Sequence, residues 1–250
     1  THTPRRVRAL ILVPTRELAA QVGEVLRALS QHLPERMKIA VVFGGVSINP
    51  QMMALRGGAD VVVATPGRLL DLVQHNALRL GAVQTLVLDE ADRLLDMGFA
   101  EEINRVLALL PPTRQNLFFS ATFPSAVQAL VDSLLVEPVR IDEAATPETE
   151  LTIVQRAVAV DAAQRTQLLR HLVKENQWNS VLVFAATQYT TELVAEKLYK
   201  AGIFATAFHG KLSQGARTQV LSDFKASRLQ VVVATDVAAR GIDSEHLSRG

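Results

Sequence analysis

Cysteine is absent from the 250 residues. That excludes disulfides, thiol nucleophiles and every cysteine-ligated zinc or iron–sulfur site. A reducing, cytoplasmic location suits such a chain. Aromatic residues make up only 5%, which argues against the base-stacking platforms of sequence-reading single-strand modules. Neither sign of charge dominates: 26 Lys and Arg stand against 25 Asp and Glu, for a net charge of +1. A polybasic clamp of the histone kind is excluded, and any polyanion must be held by local geometry. Long apolar runs are missing too. The first, residues 9–13, stops at Pro14, short of the roughly 7 to 15 residues of a signal-peptide core and the roughly 18 of a membrane span. No membrane partner is expected. The six histidines are scattered without metal-ligand spacing.

What remains is 48% hydrophobic and 20% charged, enough for a packed core and unlike a disordered chain. Short β-branched runs alternate with stretches of helical period, the pattern of βαβ units around a parallel sheet. Strands are predicted at residues 9–13, 39–43, 61–64, 85–88, 117–119, 139–141, 154–160, 181–184, 205–208 and 230–234. Being apolar throughout, they should be covered on both faces. Helices are predicted at 17–29, 67–74, 101–110, 125–135, 163–175, 189–200 and 215–224. Trp178, the only tryptophan, is expected to pack in a core.

The acidic stretch 142–150 lacks an apolar period and reads as a linker between domains at residues 1–144 and 145–250. Matched features lie on its two sides. The strand 9–13 leads to Thr15 and a helix, 39–43 ends at Gly44-Gly45, and Val61-Val62-Val63-Ala64-Thr65 follows. Beyond the linker, 181–184 leads to Thr187 and a helix, 205–208 ends at His209-Gly210, and Val231-Val232-Val233-Ala234-Thr235 follows. Thr15 and Thr65 are 50 positions apart, Thr187 and Thr235 are 48. Order and spacing together point to internal duplication. Ligands of such sheets gather at the carboxyl ends of strands.

Asp89-Glu90-Ala91-Asp92 follows the strand 85–88 directly. Adjacent carboxylates there suit phosphoryl transfer, one holding Mg²⁺ and the next orienting or deprotonating water, or they simply cap the next helix. Thr65-Pro66-Gly67-Arg68 places a capping hydroxyl, a helix-start proline and a forked cation at one helix N-terminus, an anion site. Pro14-Thr15-Arg16-Glu17 repeats that design, and Gly44-Gly45 permits close backbone approach. Three such places along one sheet edge would form a track for a phosphodiester backbone. Ser120-Ala121-Thr122 either bridges the carboxylates to neighbouring groups or caps the helix begun at Pro124.

These phrases, with Ala234-Thr235-Asp236 and Arg240-Gly241-Ile242-Asp243, occur in the order found in DEAD-box ATP-dependent RNA helicases, which the whole chain resembles. Phe43-Gly44-Gly45-Val46 through Asn49-Pro50-Gln51-Met52, and Leu94-Leu95-Asp96-Met97-Gly98-Phe99, look most like the bacterial RhlE-type branch. The resemblance implies an α/β fold of two RecA-like parallel-sheet domains in tandem, with ATP and Mg²⁺ as cofactors and RNA as partner. It implies that Asp89 positions Mg²⁺, that Glu90 activates water, and that Ser120 and Thr122 couple hydrolysis to strand separation. Thr15, Arg16, Gly45, Thr65, Gly67 and Arg68 would touch RNA from the first domain, and Thr187, Gly210, Gln214, Arg217 and Thr235 from the second. Gly241 and Asp243 would meet the nucleotide. Ala186 departs from the pattern, since the family usually carries a polar or basic residue before Thr187.

A Gly-x-x-x-x-Gly-Lys-[Ser/Thr] phosphate loop, expected ahead of Pro14, is not found. The one Gly-Lys pair, Gly210-Lys211, has Ala205 in place of the first Gly and Leu212 in place of the hydroxyl. The arginine-rich segment expected after Asp243 is also missing. The expectation is therefore a piece of a longer chain, both domains incomplete, inactive alone. A non-catalytic RNA clamp and a DNA-directed helicase are the alternatives.

Overall fold

The computed structural model describes residues 5–142 and 154–236, and the chain divides into two compact units, Thr1–Val139 and Arg140–Gly250. The first unit runs β1 (Ala9–Leu12), α1 (Arg16–Ser30), β2 (Ile39–Val42), α2 (Asn49–Ala54), β3 (Val61–Ala64), α3 (Pro66–Gln74), β4 (Thr85–Leu88), α4 (Ala91–Asp96), α5 (Ala100–Leu107), β5 (Gln115–Phe118) and α6 (Ser125–Leu134). Its five strands pair in parallel in the order β2-β3-β1-β4-β5. Alternate side chains leave opposite faces of a strand. Leu10, Leu12, Val62, Leu86 and Leu88 therefore enter one core with Leu69, Leu72 and Ile103. Ile11, Val61 and Val63 enter another with Leu18, Val22 and Leu26 of α1.

The second unit runs from a 3₁₀ turn, Ala162–Gln164, through α7 (Arg165–Glu175), β6 (Val181–Ala185), α8 (Gln188–Lys200), β7 (Ala205–Phe208), α9 (Gln214–Lys225) and β8 (Val231–Thr235). Its three parallel strands lie in the order β6-β8-β7. Val231 and Val233 pack with Val173 and Leu198 on one face, and Trp178 joins them. Phe208, Val232 and Ala234 pack with Phe224 on the other. In each unit the third strand of the matched set is inserted between the first two, β3 between β1 and β2, β8 between β6 and β7. The duplicated sequence is thus a duplicated topology.

Several expectations need correction. Residues 139–141 and 154–160 form no strand. Val139 and Ile141 are both 88% exposed, so apolar composition there is not matched by any covering surface. Nor are all strands covered on both faces: Leu117 in β5 and Phe184 in β6 are exposed. Helices α2 and α4 were not predicted. Each spans only six residues, too few to display a helical period. Of the acidic stretch, residues 143–150 lie outside the described residues. Among the described residues no helix is long and apolar enough to cross a membrane.

Candidate active site and nucleic-acid interface

Register brings the predicted residues to one edge. Val42, Ala64, Leu12, Leu88 and Phe118 stand side by side across the first sheet as the last residues of their strands. The segments that leave this row carry Gly44-Gly45, Thr65, Thr15, Asp89 and Ser120 in turn. In a parallel sheet every chain exits in the same direction, so five separate stretches of sequence share one rim.

Asp89 and Glu90 turn the chain from β4 into α4. Glu90 has φ 49° and ψ 52°, left-handed geometry that a side chain resists. Asp89 Oδ1 accepts the Glu90 N–H at 3.0 Å, which steadies the turn. Both Glu90 carboxylate oxygens accept from Arg93 Nη1 at 2.9 Å. Burial pushes the Asp89 carboxyl above its ordinary value, against the pull of the Glu90 N–H. Burial raises Glu90 as well; Arg93 pulls it down, while Asp89 and Asp92 add repulsion.

Ser120 and Thr122 do not reach these two carboxylates and do not cap the next helix. They close on Asp92 instead. The Thr122 N–H and hydroxyl donate to Asp92 Oδ2 at 3.1 and 2.8 Å. Ser120 Oγ accepts the Asp92 N–H at 3.2 Å and donates to the Thr122 carbonyl at 2.7 Å. Burial alone would raise Asp92, but the bonds from Thr122, the Arg93 N–H and Ser120 hold it below its ordinary value. Asp92 and Arg93 received no role from the sequence. The signal was available in the spacing, since positions 89, 92 and 93 fall three and four apart on a helix entrance.

The expected RNA-facing residues of the first unit form one linked loop system. Thr15 caps α1, its Oγ1 accepting the Leu18 N–H at 3.2 Å. Thr65 makes no such cap; its Oγ1 accepts the Gly44 N–H at 3.3 Å. Arg68 is also not the open fork anticipated. It is nearly buried, and Nη2 donates to the Val46 carbonyl at 2.7 Å. Gln51 from α2 bonds Phe43 twice, N–H to Oε1 at 3.1 Å and Nε2 to carbonyl at 3.0 Å. Gly45 has φ 76°, and a Cβ there would strike the Arg16 guanidinium. A Cβ on Gly67 would meet nothing within 4 Å, so the first turn of α3 is open to approach.

In the second unit Thr187 repeats Thr15, with φ −131° and ψ 156° against −127° and 158°, accepting the Thr190 N–H at 3.1 Å. Thr235 ends β8 beside Ala185 at the rim. Gly210 follows β7 with open space above its Cα. Gln214 opens α9, which Ser213 caps by accepting the Ala216 N–H at 3.2 Å. Arg217 is buried, its guanidinium 4.9 Å from the centroid of the Phe208 ring. Gly241 and Asp243 lie outside the described residues. Among the described residues no group of three or more His, Asp or Glu is placed to cage a metal ion.

A tandem of parallel α/β units, the first with carboxylates and helix entrances on one rim, places the chain in the class of tandem RecA-like proteins. The chain belongs to the DEAD/DEAH box helicase family. Residues 2–130 match that family, and residues 164–249 match the helicase conserved C-terminal domain. The two sheets correspond to the tandem RecA-like domains of that family. RNA helicase CrhR of Synechocystis sp. is 38% identical over 243 residues, which are 97% of this chain and 49% of that one. DEAD-box ATP-dependent RNA helicase CshA of Bacillus cereus is 39% identical over 237 residues, 95% of this chain and 45% of that one. The chain therefore spans about half the length of the curated relatives it matches. Among solved structures, S. cerevisiae Dbp5 bound to RNA and ADP BeF3 superposes with a TM-score of 0.77 at 28% identity, over 99% of this chain and 62% of that one. A DEAD box protein from the hyperthermophile Methanococcus jannaschii gives a TM-score of 0.53 at 36% identity, over 97% and 64%.

Proposed function

We propose that the chain is the core of an ATP-dependent RNA helicase, in which RNA-stimulated ATP hydrolysis drives local opening of RNA duplexes. The single observation that carries this reading is the shared rim: Asp89, Glu90 and the Ser120–Asp92–Thr122 bracket stand on the same strand ends as the Thr15, Gly44–Gly45 and Thr65 turns. Residues 1–144 and 145–250 are read as the two RecA-like domains. The RhlE-type branch is favoured by the phrases at 43–52 and 94–99. A cytoplasmic location accords with a chain free of cysteine.

The chain's own residues fit the magnesium nucleotide in a particular way. Asp89 engages Oδ1 with a backbone N–H and leaves Oδ2 without a protein partner among the described residues. One such oxygen suits a magnesium ion held otherwise by water and phosphate. That ion, when bound, supplies charge neutralisation at the transferring phosphate. Glu90, with its raised affinity for a proton, accepts one from the attacking water. Asp92 ties residues 120–122 to the same turn, so motion at the carboxylates is passed to that segment. Thr15, Arg16, Gly45, Thr65, Gly67 and Arg68, with Thr187, Gly210, Gln214, Arg217 and Thr235, follow the RNA backbone. Gly241 and Asp243 contact the nucleotide.

The 250 residues contain no phosphate loop. Alone, they are expected to hydrolyse ATP at background rate whether or not RNA is added. The full-length protein should show RNA-stimulated turnover that Glu90→Gln lowers by about 10² or more. RNA binding without any turnover in the full-length protein would identify a clamp instead. Tighter retention of DNA than of matched RNA would identify a DNA-directed enzyme.

A further inference from the structure

The rim with the carboxylates is one end of the first sheet; the other end holds a cavity. It measures about 1060 Å³ and is bounded by the segments that enter β1, β3 and β4, together with the carboxyl ends of α2 and α3. Arg6, Arg56 and Arg79 surround it, and no acidic residue lines it. Arg5 is paired with Asp60 and so adds no uncompensated charge. Among the described residues the other three guanidinium groups have no ion pair or hydrogen bond. The floor is apolar: Val7, Leu55 and Leu78 are buried, while Met53 is 61% exposed into solvent.

Like charges gathered around one concavity repel, and a bound anion relieves that repulsion through charge-assisted hydrogen bonds. An inorganic phosphate would satisfy the arginines and leave the apolar floor bare. The volume is that of a site for a small organic molecule, roughly 300 to 1,000 Å³ in typical cases. Methionine suits a flat ring, being polarisable and adaptable. The backbone wall is fixed by Gly58, whose φ is 80° and where a Cβ would overlap the Arg5 carbonyl. The segment entering β1 can thus lie against the wall only because no side chain stands there.

We propose that this cavity binds a nucleotide, its phosphate on Arg6, Arg56 and Arg79 and its base on Met52, Met53 and Leu78. The source is a free ribonucleotide or the 5′-phosphorylated end of an RNA strand; the chemistry is the same. The site is independent of the helicase reading, because it shares no residue with the carboxylate rim.

Methionine provides the test. The chain has four, of which Met52 and Met53 line the cavity, while Met97 closes α4 and Met37 lies ahead of β2. Methyl-labelled methionine in the full-length protein, titrated with AMP and separately with a 5′-phosphorylated oligoribonucleotide, should move the Met52 and Met53 signals saturably and leave Met37 in place. Arg56→Gln with Arg79→Gln should raise the half-saturating concentration about tenfold or more. Unmoved Met37 and Met97 signals in that variant show that it is folded. A response to AMP alone assigns the free nucleotide, and a response to the oligonucleotide alone assigns the RNA end. Silence of Met52 and Met53 with both probes overturns the proposal, as does equal binding by the double variant or by tripolyphosphate. RNA-stimulated turnover is measured on the same variant, so failure of this site is distinguishable from failure of the helicase reading.

Discussion

Glu90 is held in left-handed backbone geometry, a conformation costing of order 1–3 kcal/mol in a side-chain-bearing residue. Glu90→Gly should therefore leave stability within about 1 kcal/mol of the parent, while Glu90→Val should lose more than that in chemical denaturation. Asp89 is coupled to stability with a definite sign. A carboxyl whose folded pKa is raised takes its proton more readily folded than unfolded, so stability falls as pH rises through that window and stays lower above it. Asp89→Asn should accordingly raise Tm at neutral pH, a gain that vanishes below about pH 4. Asp92 runs the opposite way: its contribution is present above the ordinary aspartate range and is lost on acidification. Arg93 lowers the Glu90 pKa, so Arg93→Ala should move the acid limb of the full-length ATPase pH profile upward. Sequence alone singled out Asp89 and Glu90 through their position after a strand. It gave Asp92 no task, because the partners Ser120 and Thr122 lie 28 and 30 positions away, a separation only the sheet closes.

At the scale of elements, hydroxyls that look alike in sequence do different work. Thr15 and Thr187 are true caps, and replacing either with Ala should cost about 1 kcal/mol. Thr65, also before a helix, gives its oxygen to the Gly44 N–H and leaves the first turn of α3 uncapped. The glycines also divide. Gly58→Ala meets immovable backbone at Arg5, and Gly45→Ala meets a displaceable arginine side chain. Thermal melts should show the larger loss, a few kcal/mol, at Gly58. Strands 61–64 and 85–88 were legible to the residue because their apolar content matches central positions in the sheet, the first buried throughout and the second at Leu86 and Leu88. Residues 139–141 and 154–160 carry the same composition without neighbours to bury them, which periodicity cannot reveal. Arg68 was read as a forked donor at a helix entrance, and Arg217 was given an RNA contact by resemblance alone. Both sit inside, since local sequence does not show which loop or ring will cover a guanidinium.

On the scale of the whole molecule, each sheet has an edge strand with one side unpaired among the described residues: β5 in the first sheet, β6 in the second. Leu117, Phe119 and Phe184 are exposed there. Open edges beside apolar surface recruit other strands. The 250-residue chain should therefore self-associate with rising concentration in sedimentation velocity, and charged substitutions at Leu117 and Phe184 should reduce that association.

The inserted third strand also constrains synthesis. β1 and β2 do not pair with each other; each waits for β3, as β6 and β7 wait for β8. A nascent chain leaving the ribosome thus carries two unmatched apolar ribbons until Val61–Ala64 emerges, and two more until Val231–Thr235 does. Those intervals are when it most needs a chaperone.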